Sequence, residues 1–378
     1  MRCDTDAAEM NRIRVQRTGV VFRGTPEDPH QRHAAFPSVA RLADGKLIVT
    51  MTIGRGRNTA DVRCYGVTSR DEGGTWSVPR LLFEPDERAH RVSAGIRTSR
   101  GTDGSLVGFV NLLDRSDPDA PTTNRVNGGT VPREHAIIRS PDGEAWSALE
   151  FFQPPLDWHC FGEPSPVLAL SADRWLLPSL TRLDWDGRCP YGLKSFVMIS
   201  EDRGRTWPRC ADVFDLWSKR IITWEQKQVV LADGRILAVT WAFNDATKEN
   251  LPNLYTFSAD DGDSYGPALE SPLRGQTCTP LALADNHILC VYRRLDRNGL
   301  WAHLARIESD RWVSIAEHCL WGADRTALIG ADSSIQQQHT LQFGYPQLAR
   351  LSNGDVFVVF WAVEDELSII RSFALIVR

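Results

Sequence analysis

No Cys-x-x-Cys pair and no cysteine–histidine cluster at zinc spacing occurs in this chain, although it carries eight cysteines, at 3, 64, 160, 189, 210, 278, 290 and 319. That scatter gives no footing for a structural zinc site. Cysteines such as Cys64 and Cys290 stand in apolar runs and read as small buried hydrophobes. No stretch approaches the roughly 18 apolar residues of a membrane span. The opening Met1-Arg2-Cys3-Asp4-Thr5-Asp6 has no apolar core and no cleavage-like site, so no secretory signal is expected. Basic residues do not predominate: 43 Lys and Arg stand against 48 Asp and Glu, a net charge of -5. A nucleic-acid partner, which calls for a basic patch or stripe, is therefore not expected. Long helical periodicity, a phosphate-cradling loop and a nucleotide motif are also missing. The expectation is a soluble, reduced, cytoplasmic protein without metal, cofactor, nucleic-acid or membrane partner; the oligomeric state is not legible.

What is present is repetition. Ser69-Arg70-Asp71-Glu72-Gly73-Gly74-Thr75-Trp76 recurs as Ser200-Glu201-Asp202-Arg203-Gly204-Arg205-Thr206-Trp207, and more loosely from Ser258 through Asp260 and Gly262 to Tyr265. A copy one residue shorter runs from Ser140 through Asp142 and Gly143 to Trp146. An Asp side chain can accept from the N–H groups of its own turn, and Gly adopts a conformation that other residues resist. The terminal aromatic buries its ring. Most of the thirteen Trp are accordingly read as structural.

Between these turns lies a second repeat, an apolar strand, a tight turn and another apolar strand. It runs over Phe36–Val49 around Asp44-Gly45, Ile96–Val110 around Asp103-Gly104, and Pro164–Leu180 around Asp173-Arg174. It returns over Glu225–Trp241 around Asp233-Gly234, Thr277–Tyr292 around Asp285-Asn286, and Tyr345–Trp361 around Asn353-Gly354. Six such units without helices indicate an all-β, six-bladed β-propeller using residues 1–378 as one domain. Two β-sandwiches are the weaker alternative. Val20–Phe22 is expected to supply the outer strand of the last blade, tying the chain ends together. The loops at 54–60, 114–134, 184–191 and 244–253 are long enough to be functional, and 114–134 is the best lid or rim.

On these repeats the chain resembles the sialidase (neuraminidase) superfamily, whose hairpin motif is the Asp box and whose fold is a six-bladed propeller. The box lies at blade peripheries in that family, which makes Asp71, Asp202 and Asp260 structural. Catalysis there uses a Tyr nucleophile activated by a Glu, an Asp acid/base, and three Arg that clamp a carboxylate. The resemblance matches Tyr345, eight residues before Asn353, to the nucleophile, and Glu225, eight before Asp233, to its partner. It matches Asp61, eight residues before Ser69, to the acid, and Arg297 in Arg297-Asn298-Gly299 to the third arginine. At the places of the other two arginines stand Ala35 and Trp241. Arg32, Arg55, Arg57, Arg182, Arg293 and Arg294 are the candidates to replace them.

Inner strands of a propeller meet at its axis, so polar residues at their ends converge on one pocket. By that rule Glu163, His33, His90 and Arg91 join the candidate binding residues. Trp224 and Trp158-His159 are candidate sugar platforms or core, and His135 is placed at the rim or surface. A phenol, with a pKa of about 10, needs a carboxylate to take its proton as it attacks, which gives a Tyr–Glu pair its chemical sense. The resemblance implies a retaining exo-glycosidase acting on a terminal α-linked acidic sugar. A polysaccharide lyase on the same scaffold and a non-catalytic glycan- or protein-binding propeller are the competing readings.

Overall fold

Each sequence repeat becomes one antiparallel sheet. The computed structural model describes residues 12–84, 91–162, 165–324 and 341–378. In it, six sheets of four or five strands form a ring of blades. Blade 1 pairs His33–Arg41, Leu47–Gly54, Arg63–Ser69 and Arg80–Leu81 from the axis outward; blade 2 begins with Arg91–Arg100 and Leu106–Asp114. The inner pairs of the following blades are Phe161–Gly162 with Trp175–Thr181, Ile221–Val230 with Ile236–Asn244, and Gly275–Ala282 with His287–Arg294. Blade 6 runs from Phe343–Arg350 through Val356–Glu364 and Leu367–Val377 to Ile13–Arg23, whose Val20 pairs with Arg371. The N-terminal strand therefore closes the ring, as its sequence predicts.

Second strands are sandwiched between neighbouring blades, and their sequences show it. Leu47–Gly54 is buried at every position, as is Trp175–Thr181. A strand covered on both faces reads as a continuous apolar run rather than an alternating one.

The repeated turns fasten adjacent blades. Asp71 Oδ1 accepts from the Thr75 N–H at 2.9 Å, and Asp202 Oδ1 and Asp260 Oδ1 accept from Thr206 and Ser264 at 2.8 and 2.9 Å. Three residues of these turns, Glu72, Arg203 and Asp261, are held at left-handed φ of 54°, 64° and 55°. That conformation turns their carbonyls toward the preceding blade. Each accepts an arginine from it: Arg17 of blade 6 on Glu72, Arg139 of blade 2 on Arg203 at 2.8 Å, and Arg174 of blade 3 on Asp261 at 3.0 Å. Gly73 fits where it does because a Cβ there would stand 2.5 Å from the Phe357 ring of blade 6.

A second ladder braces blade 5. Arg294 Nη1 donates to Glu317 Oε2 at 2.7 Å, His303 Nδ1 meets Glu317 Oε1 at 3.0 Å, and Trp312 Nε1 donates to His303 Nε2 at 3.2 Å. The His303 and Arg294 contacts, led by His303, hold the Glu317 carboxyl down at about 2 despite its burial.

Asp202→Ala removes the anchor of the blade 3 turn and should lower stability by about 2 kcal/mol in denaturant unfolding. Burial raises the Asp202 carboxyl, but hydrogen bonds from Thr206 and Ser200 outweigh it and depress its pKa. The stabilisation is therefore present above the ordinary carboxyl pKa of about 3.9 and lost as pH falls below it. The Asp202→Ala difference should shrink on acidification. A difference that is constant from neutral pH down to strongly acid pH contradicts this account.

Candidate functional site

One irregularity, shared by four blades, builds the axial site. In blade 1, Ala35 pairs with Thr52 and Ser38 with Thr50, so Phe36 and Pro37 oppose a single residue. Glu225-Gln226 in blade 4, Thr277-Cys278 in blade 5 and Tyr345-Pro346 in blade 6 do the same. These are β-bulges, and the first residue of each has left-handed φ: Phe36 51°, Glu225 54°, Thr277 55° and Tyr345 55°. Holding a non-glycine residue there costs of order 1–2 kcal/mol. Backbone outliers of this kind cluster at functional sites. Three of the four residues, Phe36, Glu225 and Tyr345, line an open cavity of about 200 Å³.

The cavity wall is strongly cationic on one side. Arg57 from blade 1, Arg97 and Arg133 from blade 2 and Arg182 at the end of blade 3 line it, with Asn58, Asn111, Thr122 and Thr123 between them. Among the described lining residues Glu225 is the only carboxylate. Burial raises its pKa, opposed by the charges of Arg293, Lys227, Arg97 and Arg182, and the raised direction prevails. Its Oε2 is buried and accepts no hydrogen bond from a described residue. Tyr345 is 2% exposed; the Arg97 guanidinium carbon lies 4.3 Å and Lys227 Nζ 4.2 Å from its ring centroid. The Tyr345 N–H donates to Thr277 Oγ1 at 3.3 Å, which joins two of the bulges.

Tyr345, Glu225, Trp224 and Arg182 are thus brought together as lining residues. Arg182 lies 5.2 Å over the Trp224 ring, and Trp224 stacks on Trp241 at 6.2 Å. Trp241 and Ala35, standing where the resemblance calls for arginine, are both buried. Arg293 is 2% exposed behind the cavity, donating to the Phe343 carbonyl at 2.6 Å and Gln276 Oε1 at 2.5 Å. A side chain at Gly344, whose φ is 144°, would collide with this guanidinium.

Other expected residues lie elsewhere. Arg297 stacks 5.6 Å over Trp301 in blade 5 and does not line the cavity. Arg294 is taken by Asp296 and Glu317. Asp61 sits in the 55–61 loop, where its Oδ2 receives His30 Nδ1 and the Arg55 N–H, each at 2.9 Å. Burial raises the Asp61 carboxyl, yet hydrogen bonds from Thr59, Arg55 and His30 and the Arg55 charge hold it below the usual range. It is outside the cavity lining, and in this geometry it is a carboxylate rather than an acid. Arg32 and Arg55 also lie outside it.

His33 meets Trp361 edge-on at 6.2 Å, and Arg57 covers the same ring at 5.4 Å. Burial and the Arg57 charge push His33 down to about 4, so it is neutral at pH 7. His135, expected at the rim or surface, is instead packed among Phe109, Phe152 and Phe161, and burial pushes it down to about 3. Trp158 makes no platform; its Nε1 supports the Arg182 carbonyl at 2.9 Å. Arg91 opposes Asp114 in the inner hairpin of blade 2, while His90 and Glu163 lie outside the described residues.

The 114–134 loop forms part of the rim. Thr122 and Thr123 face the cavity, while Asn124 and Asn127 donate to the Trp185 carbonyl of the 184–191 loop at 3.0 and 3.2 Å. Arg97, Arg133 and Lys227 were missed in the sequence. Arg97 and Lys227 carry the same signal that marks Glu225, a charge within an inner-strand run. Arg133 falls at the end of the 114–134 stretch read as a rim loop, where no periodicity singles it out.

These features define a six-bladed β-propeller with a sialidase-like fold. The chain is similar to a protein of unknown function from Dyadobacter fermentans, at 20% identity and TM-score 0.71, over 97% of this chain and 100% of that one. It is also similar to the NanB sialidase of Streptococcus pneumoniae, at 12% identity and TM-score 0.69, over 94% and 70%. A third neighbour is the intramolecular trans-sialidase of Ruminococcus gnavus solved with oseltamivir carboxylate, at 12% identity and TM-score 0.66, over 93% and 96%. No family model and no curated relative matches the chain.

Four guanidiniums, of Arg57, Arg97, Arg133 and Arg182, line the cavity beside one described carboxylate, a lining suited to an anionic ligand. Sulfate or formate should therefore raise the melting temperature more than chloride at equal ionic strength. A hundredfold excess over Kd gives about 2.7 kcal/mol. Arg97→Met should remove most of this gain. Equal effects of all three anions would contradict an anion site.

Proposed function

We propose that the protein is a sialidase-like exo-glycosidase that hydrolyses a terminal α-linked acidic sugar, a sialic acid or a related nonulosonic or uronic acid. The observation that supports this most is the half-buried Glu225 carboxylate, whose buried Oε2 lacks a described hydrogen-bond partner, lining the same cavity as Tyr345. A buried polar atom left unsatisfied calls for an explanation, and a catalytic base provides one. Its raised pKa suits a proton acceptor working near neutrality.

In this reading Arg57, Arg97, Arg133 and Arg182 receive the sugar's carboxylate, taking the place of the arginines absent at Ala35 and Trp241. Planar guanidiniums match a carboxylate in two-point hydrogen bonds, so their origin on blades 1–3 matters less than where they converge. The Tyr345 phenol attacks the anomeric carbon while Glu225 takes its proton, and a glycosyl–tyrosine bond replaces the bond to the leaving group. Water then cleaves this intermediate, giving net retention. The cations beside the Tyr345 ring stabilise negative charge as it develops on the phenol. Asp61, on the loop whose Arg57 and Asn58 already line the cavity, is a carboxylate in the free protein and must take up a proton from solvent as substrate draws the loop in. It gives that proton to the leaving group and takes one back from the attacking water, while Glu225 returns its proton to Tyr345. Catalytic contacts often tighten only in the substrate complex. Trp224 offers an apolar face to the sugar ring.

Purified protein should release sugar from a panel of α-linked acidic glycosides, and Tyr345→Phe should lower kcat by roughly a thousandfold or more. Asp61→Asn should slow substrates with poor leaving groups and spare activated aryl glycosides. Absence of turnover across the panel, or full turnover by Tyr345→Phe, refutes the proposal. New ultraviolet absorbance from an unsaturated product would identify a lyase instead.

A further inference from the structure

The chain meets almost all of its need for positive charge with arginine; only five of its 43 basic residues are lysine, at 46, 194, 219, 227 and 248. One of these five is buried at the axis. Lys227 is 3% exposed, two residues beyond Glu225 on the same inner strand. Its Nζ donates to Thr279 Oγ1 at 2.9 Å, and Thr279 Oγ1 donates in turn to the Pro346 carbonyl at 2.6 Å. That carbonyl belongs to the residue after Tyr345, whose ring centroid is 4.2 Å from Nζ. Blade 4 is thereby tied through blade 5 to the residue proposed as nucleophile in blade 6. Lys227 is not among the cavity-lining residues, so its route to a ligand runs through Tyr345 and Glu225.

Resting on the glycosidase reading above, we propose that Lys227 is a positioning residue. It holds the Tyr345 ring by a cation–π contact and supplies the titratable counter-charge that keeps Glu225 ionised to act as base. An arginine here would stay charged at every accessible pH; a buried lysine can lose its proton. The described charged and titratable groups facing Lys227 are Glu225 on its own strand, Arg97 from blade 2, the Cys278 thiol from blade 5 and the Tyr345 phenol from blade 6. Arg293 and Arg182 face Glu225 from blades 5 and 3. Burial, opposed by Glu225 and reinforced by Arg97, pushes the Lys227 ammonium down to about 7. A lysine gains its charge below its pKa, so this counter-charge is present in mild acid and lost as pH rises above neutrality. The site therefore has an alkaline limit set by Lys227.

Five lysines make the test direct. With carbon-13 at the lysine Cε positions, the intact protein should show one signal titrating near neutral pH and absent from Lys227→Met. Glu225→Gln should move that titration to still lower pH, because the carboxylate that favours the ammonium is gone. In turnover of an acidic aryl glycoside, Lys227→Met should lower kcat by roughly tenfold to a hundredfold with little change in KM, and flatten the alkaline limb. Lys227→Arg should restore folding and ring contact but not that limb. If Lys227→Met fails to fold, the wild-type and Glu225→Gln titrations still decide. A Lys227 signal that titrates with the surface lysines, or is indifferent to Glu225→Gln, overturns the proposal whatever the turnover. A wild type that releases no sugar but shows the coupled titration refutes the glycosidase reading and leaves the pair standing.

Discussion

The hub of this propeller depends on one electrostatic constraint: a half-buried carboxylate held within reach of four described cations. Moving each ion out of water costs several kcal/mol after relaxation, and only close opposite charge offsets that cost. Glu225 is the group on which Arg293, Lys227, Arg97 and Arg182 act together. Its burial favours the neutral acid, and their charge favours the carboxylate. A site balanced in this way changes its protonation readily, and the guanidiniums that line the cavity suit the anionic occupant proposed above.

That balance requires exact placement, which the rest of the fold provides. Four inner strands share a bulge that turns Phe36, Glu225, Thr277 and Tyr345 into left-handed conformations. The strain is affordable because second strands such as Leu47–Gly54 are locked between blades by apolar packing. At the periphery, the carbonyls of Glu72, Arg203 and Asp261 accept arginines from the preceding blades. Rotation of one blade against the next would break those bonds and displace the hub groups relative to one another.

Much of this was legible in the sequence because repetition reports register. Equal spacing from the hairpin turns, Asp233-Gly234 and Asn353-Gly354 among them, identified the inner hairpins, and with them Glu225 and Tyr345 as equivalent positions of blades 4 and 6. Spacing could not tell where long side chains end. Arg297 stands at a plausible place yet folds over Trp301, whereas Arg97 and Arg133 reach the cavity from blade 2. Asp61 lies in the loop before the first repeated turn, where hydrogen bonds from Arg55 of the same loop and His30 of a separate segment hold its carboxylate outside the cavity lining. His135 follows a loop and reads as exposed, but its strand buries it among three phenylalanine rings. Loop conformation and tertiary packing, neither of which is periodic, account for these differences.

The central claim is that the arginines of blades 1–3 receive a sugar carboxylate and thereby present the anomeric carbon to Tyr345. The crystal structure of the Tyr345→Phe variant soaked with an α-linked acidic glycoside tests it most directly. The account predicts the carboxylate within hydrogen-bond reach of Arg57, Arg97, Arg133 or Arg182, with the anomeric carbon facing residue 345 and Glu225 beside it. A carboxylate bound toward Arg297, or a sugar seated away from the axis, would contradict it.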